Sequence, residues 1–148
     1  MNYKFVKDKD NIADYYVWSG GGYPIRSSLS YYNVSYETSQ EQIISHDSSL
    51  KIIFPGTEWS WINLSGRECD INETYQAYMK IYNNSGSPIV LRLMNLPSYY
   101  TDINVPSLDK IQELTISIVT TTINGIRLQL NTSSNSIVYV DDVMFRKR

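Results

Sequence analysis

The chain has a single cysteine, Cys69, and a single histidine, His46. One thiol allows no internal disulfide framework and no cysteine-based zinc site, and Cys69 reads as a passive thiol. One imidazole, in a Ser-rich turn beside Asp47, does not supply the separately placed nucleophile, base and orienter that nucleophilic catalysis needs. A glycosidase would need two carboxyl groups facing each other across a groove, and no motif proposes such a pair. The chain therefore reads as a non-enzyme that requires no cofactor. No apolar run is long enough to cross a bilayer, and the charged stretch MNYKFVKDKDNIADYY has no apolar segment behind it that would make a secretory signal. Charge of one sign is also lacking, since 13 basic residues against 15 acidic ones leave a net −2. That balance gives no electrostatic footprint for nucleic acid, and neither nucleic acid nor membrane is expected as a partner. No segment sustains a helical period between start and stop signals, and no repeat recurs at solenoid or propeller spacing.

What is present is aromatic residues with polar tips, 13 Tyr and 3 Trp beside only 3 Phe, in a chain of 148 residues that reads as one domain over 1–148. The strongest pattern is period-two alternation interrupted by turn chemistry. Tyr75, Ala77, Met79 and Ile81 share one parity against Gln76, Tyr78, Lys80 and Tyr82, which predicts a strand with one buried face. The turn Asn83 to Pro88 follows, and then Ile89, Leu91 and Leu93 alternate with Val90, Arg92 and Met94, so the two segments are expected to form a hairpin. A second hairpin is expected at Asn124-Gly125, between the parities of Leu114, Ile116, Ile118 and of Ile126, Leu128, Leu130. Further strands are expected over Ile12 to Trp18, Leu29 to Tyr36, Leu50 to Phe54 and Trp59 to Leu64, with a loop at Gly20 to Gly22. Many short strands with one apolar face each predict an all-β, two-sheet antiparallel sandwich of jelly-roll type, with a small closed barrel as the alternative. In the last strand Val138 and Val140 share one parity while Val143 and Phe145 share the other. A slip of one residue would turn half the strand outward, so an irregularity is expected at Asp141-Asp142, whose carboxylates either hold a metal or cap backbone amides.

The segments SHDSSLKI (Ser45 to Ile52), WSWINL (Trp59 to Leu64), NETYQAYMKIYN (Asn72 to Asn83) and SIVYVDDVMF (Ser136 to Phe145) follow one another in an order and spacing that resembles the jelly-roll carbohydrate-binding modules. Such modules are appended to glycoside hydrolases and inserted in phage tail and baseplate proteins, and the resemblance runs from about Tyr36 to the end. It implies non-catalytic binding of a polysaccharide or cell-wall glycan, in an extracellular or virion-associated setting, within a parent multidomain protein or alongside virion tail proteins. It also implies a structural calcium, for which Asp141 or Asp142 and the backbone of Asp47 to Lys51 carry over. The other function class is a structural assembly domain whose tyrosine-rich surface packs on another protein.

Sugar binding needs aromatic platforms for pyranose faces, and amides or guanidinium groups for paired hydroxyls. Trp59 and Trp61 share a strand parity opposite Ile62 and Leu64, so they either face outward together or one of them plugs the core. Gln76, Tyr78, Arg92, Arg127 and Gln129 form the polar parity of the best strands and would make one floor if those strands are neighbours. Tyr99 and Tyr100, in the Leu96-Pro97-Ser98 loop, either form a rim at the sheet edge or cover the core, and Trp18 carries the same two readings.

Overall fold

The computed structural model describes residues 2–7, 14–19, 31–44, 48–56, 60–67 and 69–147, with backbone alone at 2–7, 14–19, 31 and 65–67. The described residues form strands and no helix. In chain order the strands are β1 (Asn2–Lys7), β2 (Asp14–Ser19), β3 (Tyr31–Tyr32), β4 (Ser35–Ser39), β5 (Ser49–Phe54), β6 (Ser60–Arg67), β7 (Thr74–Asn83), β8 (Ile89–Asn95), β9 (Tyr99–Val105), β10 (Ile111–Val119), β11 (Ile126–Thr132) and β12 (Ser136–Lys147). They build two antiparallel sheets, so the sandwich expected from the alternation is the fold found.

One sheet has seven strands, running β1-β2-β12-β5-β4 with β7 on the other edge of β12 and β10 beyond β7. The other has five, in the order β3-β6-β11-β8-β9. The inner parities of both close on one core, in which Leu50, Ile52, Phe54, Ile62, Leu64, Met79, Leu93, Leu128, Leu130, Val138, Val140 and Phe145 are fully buried. Each such side chain contributes about 1.5–3 kcal/mol relative to leaving it in water. Cys69 is a free, buried thiol whose S–H donates to the Thr122 carbonyl at 3.2 Å.

Both expected hairpins are corrected. Strand β7 lies in the seven-stranded sheet and β8 in the five-stranded one, so the turn at Asn83 to Pro88 carries the chain across the sandwich. The same holds for β10 and β11, which Asn124-Gly125 helps to connect. Buried asparagines bracket these corners. Asn95 accepts from the N–H groups of Thr121 (2.8 Å) and Thr122 (3.1 Å), and its Nδ2 donates to the Gly125 carbonyl at 3.0 Å. Asn83 Nδ2 donates to the carbonyls of Ser87 (3.0 Å) and Val105 (3.3 Å). The strand expected over Leu29 to Tyr36 is divided, because Asn33 takes a positive φ of 57° between β3, which pairs with β6, and β4, which pairs with β5. Tyr99 and Tyr100 open strand β9 and are not in a loop.

The irregularity in β12 falls where the change of parity requires it. Pairing with β7 passes from Asp141↔Lys80 to Met144↔Tyr78, so β12 holds one extra residue, and Asp142 takes a φ of 52°. On its other edge β12 changes partner at the same place, from Val140↔Leu50 on β5 to Val143↔Trp18 on β2.

Candidate binding face on the five-stranded sheet

Pairing registers order the outward side chains of the five-stranded sheet into three rows. Tyr32, Trp61, Asn131, Val90 and Asn104 lie across the five strands in the first row. Asn63, Gln129, Arg92 and Asp102 make the second, and Gly66, Arg127, Met94 and Tyr100 the third. A register shift between β6 and β11 at Leu128/Gln129 brings Gly66, in place of a residue of the regular parity, opposite Arg127. Five strands at their usual spacing span about 19 Å between the outer strand axes, the length scale of a short oligosaccharide.

The middle of this face is closed and its margins are open. On the central strand β11 the outward amides of Gln129 and Asn131 are each 4% exposed, and Asn63 beside them on β6 is 6% exposed. Tyr32 and Tyr100, on the outermost strands, are 48% and 47% exposed. Gln129 Nε2 donates to Asn131 Oδ1 at 2.6 Å, while the buried Asn131 Nδ2 has no partner among the described residues. A buried donor without an acceptor costs about 1–3 kcal/mol, which an acceptor on a ligand, or a bridging water, would offset.

Aromatic surface flanks the amides. The rings of Tyr32 and Trp61 lie 6.4 Å apart within 19° of parallel. On the far side Arg92 grips Asp102 in a two-pronged pair, Nε to Oδ1 at 2.8 Å and Nη2 to Oδ2 at 2.9 Å. Its guanidinium carbon lies 3.8 Å from the centre of the Tyr100 ring. The Asp102 bond pushes the Arg92 pKa up and holds the guanidinium at the Tyr100 ring, a two-pronged arrangement that Lys would not reproduce.

The structure brings Trp61, Arg92, Gln129 and Tyr100 onto this face and places other expected residues elsewhere. Gln76 and Tyr78 are on β7, in the opposite sheet, so the expected convergence of Tyr78 with Arg92 and Gln129 is corrected. There they serve neighbouring strands: Gln76 Nε2 donates to Ser117 Oγ at 3.5 Å, and the Tyr78 hydroxyl donates to Glu113 Oε1 at 3.0 Å. Burial, then the Glu113 carboxylate, push the Tyr78 phenol pKa up. Tyr99 pairs with Asn95 on the inward parity and stands at the rim. Trp59, His46 and the Trp18 side chain lie outside the described residues. Asn63, Asn131 and Asp102 were missed, although Asn63 and Asn131 are two residues on from Trp61 and Gln129, and that spacing was the available signal.

At the β12 bulge, Asp141 is fully buried and its Oδ1 accepts the Asp142 N–H at 2.9 Å, which is the amide capping expected as one of two readings. The Asp142 carboxylate is taken by Lys80 at 3.1 Å and raises the Lys80 pKa. No group of three or more His, Cys, Asp or Glu is gathered among the described residues. This donor set does not by itself fit calcium, which takes six to eight oxygens.

No protein-family model matches the sequence, and no curated protein is similar to it in sequence. Solved structures are similar in fold. The CBM22-1 xylan-binding domain of Paenibacillus barcinonensis Xyn10C superposes with a TM-score of 0.66 at 14% identity, covering 88% of this chain and 92% of that one. A family 29 carbohydrate-binding module gives 0.67 at 8% identity over 90% and 88% of the two chains. The enzymatically active domain of tailspike protein 4 of bacteriophage CBA120 gives 0.62 at 12% identity, over 82% of this chain and 19% of that one. The chain thus has the β-sandwich fold that carbohydrate-binding modules share with part of a phage tailspike. No helix among the described residues is long and apolar enough to cross a membrane.

Proposed function

We propose that this chain is a non-catalytic carbohydrate-binding module whose ligand lies across the outward face of the five-stranded sheet. The observation that carries this reading is the Gln129–Asn131 pair: buried amides on an outward parity, one donor without an acceptor among the described residues, between the rings of Tyr32 and Trp61 and the Arg92–Tyr100 stack. Rings take the apolar faces of sugars and amides take hydroxyls, so both halves of sugar recognition stand on one surface. The opposite outer face is different in kind, because the polar groups of Gln76, Tyr78, Lys80 and Tyr82 are engaged with one another's neighbours. Support also comes from the ligands of fold neighbours: a xylan-binding domain, a family 61 module in complex with β-1,4-galactotriose and a family 29 module complexed with cellulohexaose. The module would hold a larger protein, a secreted glycosidase or a phage tail, against its polysaccharide outside the cell. The test is affinity electrophoresis and calorimetry with xylan, galactan and gluco-oligosaccharides, comparing Trp61→Ala with Tyr78→Ala. Weak binding, with Kd on the order of micromolar to millimolar, that Trp61→Ala lowers and Tyr78→Ala leaves alone supports the reading. Binding that Tyr78→Ala abolishes and Trp61→Ala spares would overturn it.

A further inference from the structure

The charges on this face do not cancel. Lys51, Lys80, Arg92 and Lys147 each have a carboxylate oxygen within 3.1 Å. Arg127, in the third row, has no acidic partner among the described residues. Among the described residues its Nη2 reaches only the thioether of Met94 at 3.7 Å, a weak acceptor, and its buried Nε has no partner. The residue opposite it on β6 is Gly66, which has no side chain to fill the place, and the residue on its other side is Met94, which has no charge. With Arg92 neutralised by Asp102, the remaining outward residues of the three rows are amides, rings, Val90 and Met94, so the face carries one net positive charge in a chain whose net charge is −2.

With Nε buried, the outer end of the guanidinium, Nη1 and Nη2, is the part of the fork that a planar carboxylate can meet with two hydrogen bonds. A half-buried cation with no such partner among the described residues loses solvation that none of them returns, and a carboxylate on the ligand would restore it. We infer that the glycan bound here is acidic, a polysaccharide bearing a carboxylate on a sugar that sits over Arg127, with neighbouring neutral sugars on the Gln129–Asn131 amides and the Trp61 ring. This rests on the glycan-binding reading above and narrows its ligand class.

The probes are polygalacturonate, alginate and hyaluronan, each beside the same polymer with its carboxyls reduced to hydroxymethyl groups, together with dextran sulfate and neutral xylan. Titration of the whole chain is expected to show at least one acidic polymer binding about tenfold or more above its reduced form, the gain that a charge-assisted pair brings. Arg127→Gln is expected to erase that preference, so that an acidic polymer and its reduced form bind alike, and Arg127→Lys, which keeps the charge and loses the fork, to recover only part of it. Equal binding of every acidic polymer and its reduced form would overturn the inference and leave glycan binding standing. A preference for dextran sulfate alone, or a preference that survives Arg127→Gln, would overturn it too. If no polymer of either kind binds, the glycan reading itself fails. Should Arg127→Gln lose its fold, the comparison of native and reduced polymers on the unaltered chain still decides.

Discussion

Gln129 and Asn131, two residues apart on the outward side of β11, hydrogen-bond each other at 2.6 Å although each is only 4% exposed. Outward side chains of a sandwich normally meet water, so a buried amide pair there is a cost to the folded state unless something else uses it. The double change Gln129→Met with Asn131→Leu removes both amides and keeps the approximate shape. Because the two partners leave together, the melting temperature is expected to hold or rise, while affinity for any bound oligosaccharide is lost. A fall in stability of more than about 2 kcal/mol would show that the pair serves the fold.

Asn95 is the strongest single point at which stability depends on a polar group. It is fully buried and ties the end of β8 to Thr121, Thr122 and Gly125. Asn95→Leu keeps much of the volume but leaves two part-buried N–H groups and a buried carbonyl without this partner, which is expected to cost on the order of 2–5 kcal/mol. Denaturant unfolding measures it, and a loss below about 1 kcal/mol would mean that the corner re-forms its bonds elsewhere.

At the β12 bulge, Asp142 combines a φ of 52° with an ion pair to Lys80 at 3.1 Å. Asp142→Asn tolerates the left-handed backbone and loses only the charge, so a small effect of about 0–1 kcal/mol is expected. Asp142→Val forces a β-branched residue into that region and is expected to cost about 1–3 kcal/mol. Equal effects of the two would count against the bulge as a backbone requirement.

Glu41 gives the fold a pH dependence of known sign. The Lys51 ammonium at 2.8 Å, then the Tyr139 hydroxyl at 2.9 Å, hold its carboxyl below the ordinary glutamate value. A lowered folded-state pKa contributes stability that is present above the unfolded value, about 4.3, and is lost as pH falls through the folded value. The melting-temperature gap between the unaltered chain and Glu41→Gln is therefore expected to be open at neutral pH and to close in acid. A gap that widens on acidification would contradict the assignment.

Which face of β7, β8, β10, β11 and β12 packs into the core was legible, and so was the phase change at Asp141-Asp142, because both follow from alternation along one strand. Which sheet each strand joins was not. Turn residues such as Asn124-Gly125 encode a local reversal, and a reversal within a sheet and a crossing between sheets bury the same apolar parity. The signal lay elsewhere: Asn83 and Asn95 continue the apolar parities of β7 and β8, and an amide at that position marks a buried corner. Without sheet membership, Gln76 and Tyr78 could not be told from Gln129 and Arg92. Leu96-Pro97-Ser98 reads as a loop that takes in Tyr99 and Tyr100, yet Tyr100 lies on β9 against Arg92.

The central claim is that glycan is held by the outward face of the five-stranded sheet. Its most direct test is to follow backbone amide NMR signals during titration with an oligosaccharide that binds. The account predicts shifts concentrated at Trp61 and Asn63 on β6, Val90 to Met94 on β8, Tyr100 to Asn104 on β9 and Arg127 to Asn131 on β11, with β7 and β10 unchanged. Shifts centred on Gln76 to Tyr82 and Glu113 to Ser117, with β11 silent, would contradict it.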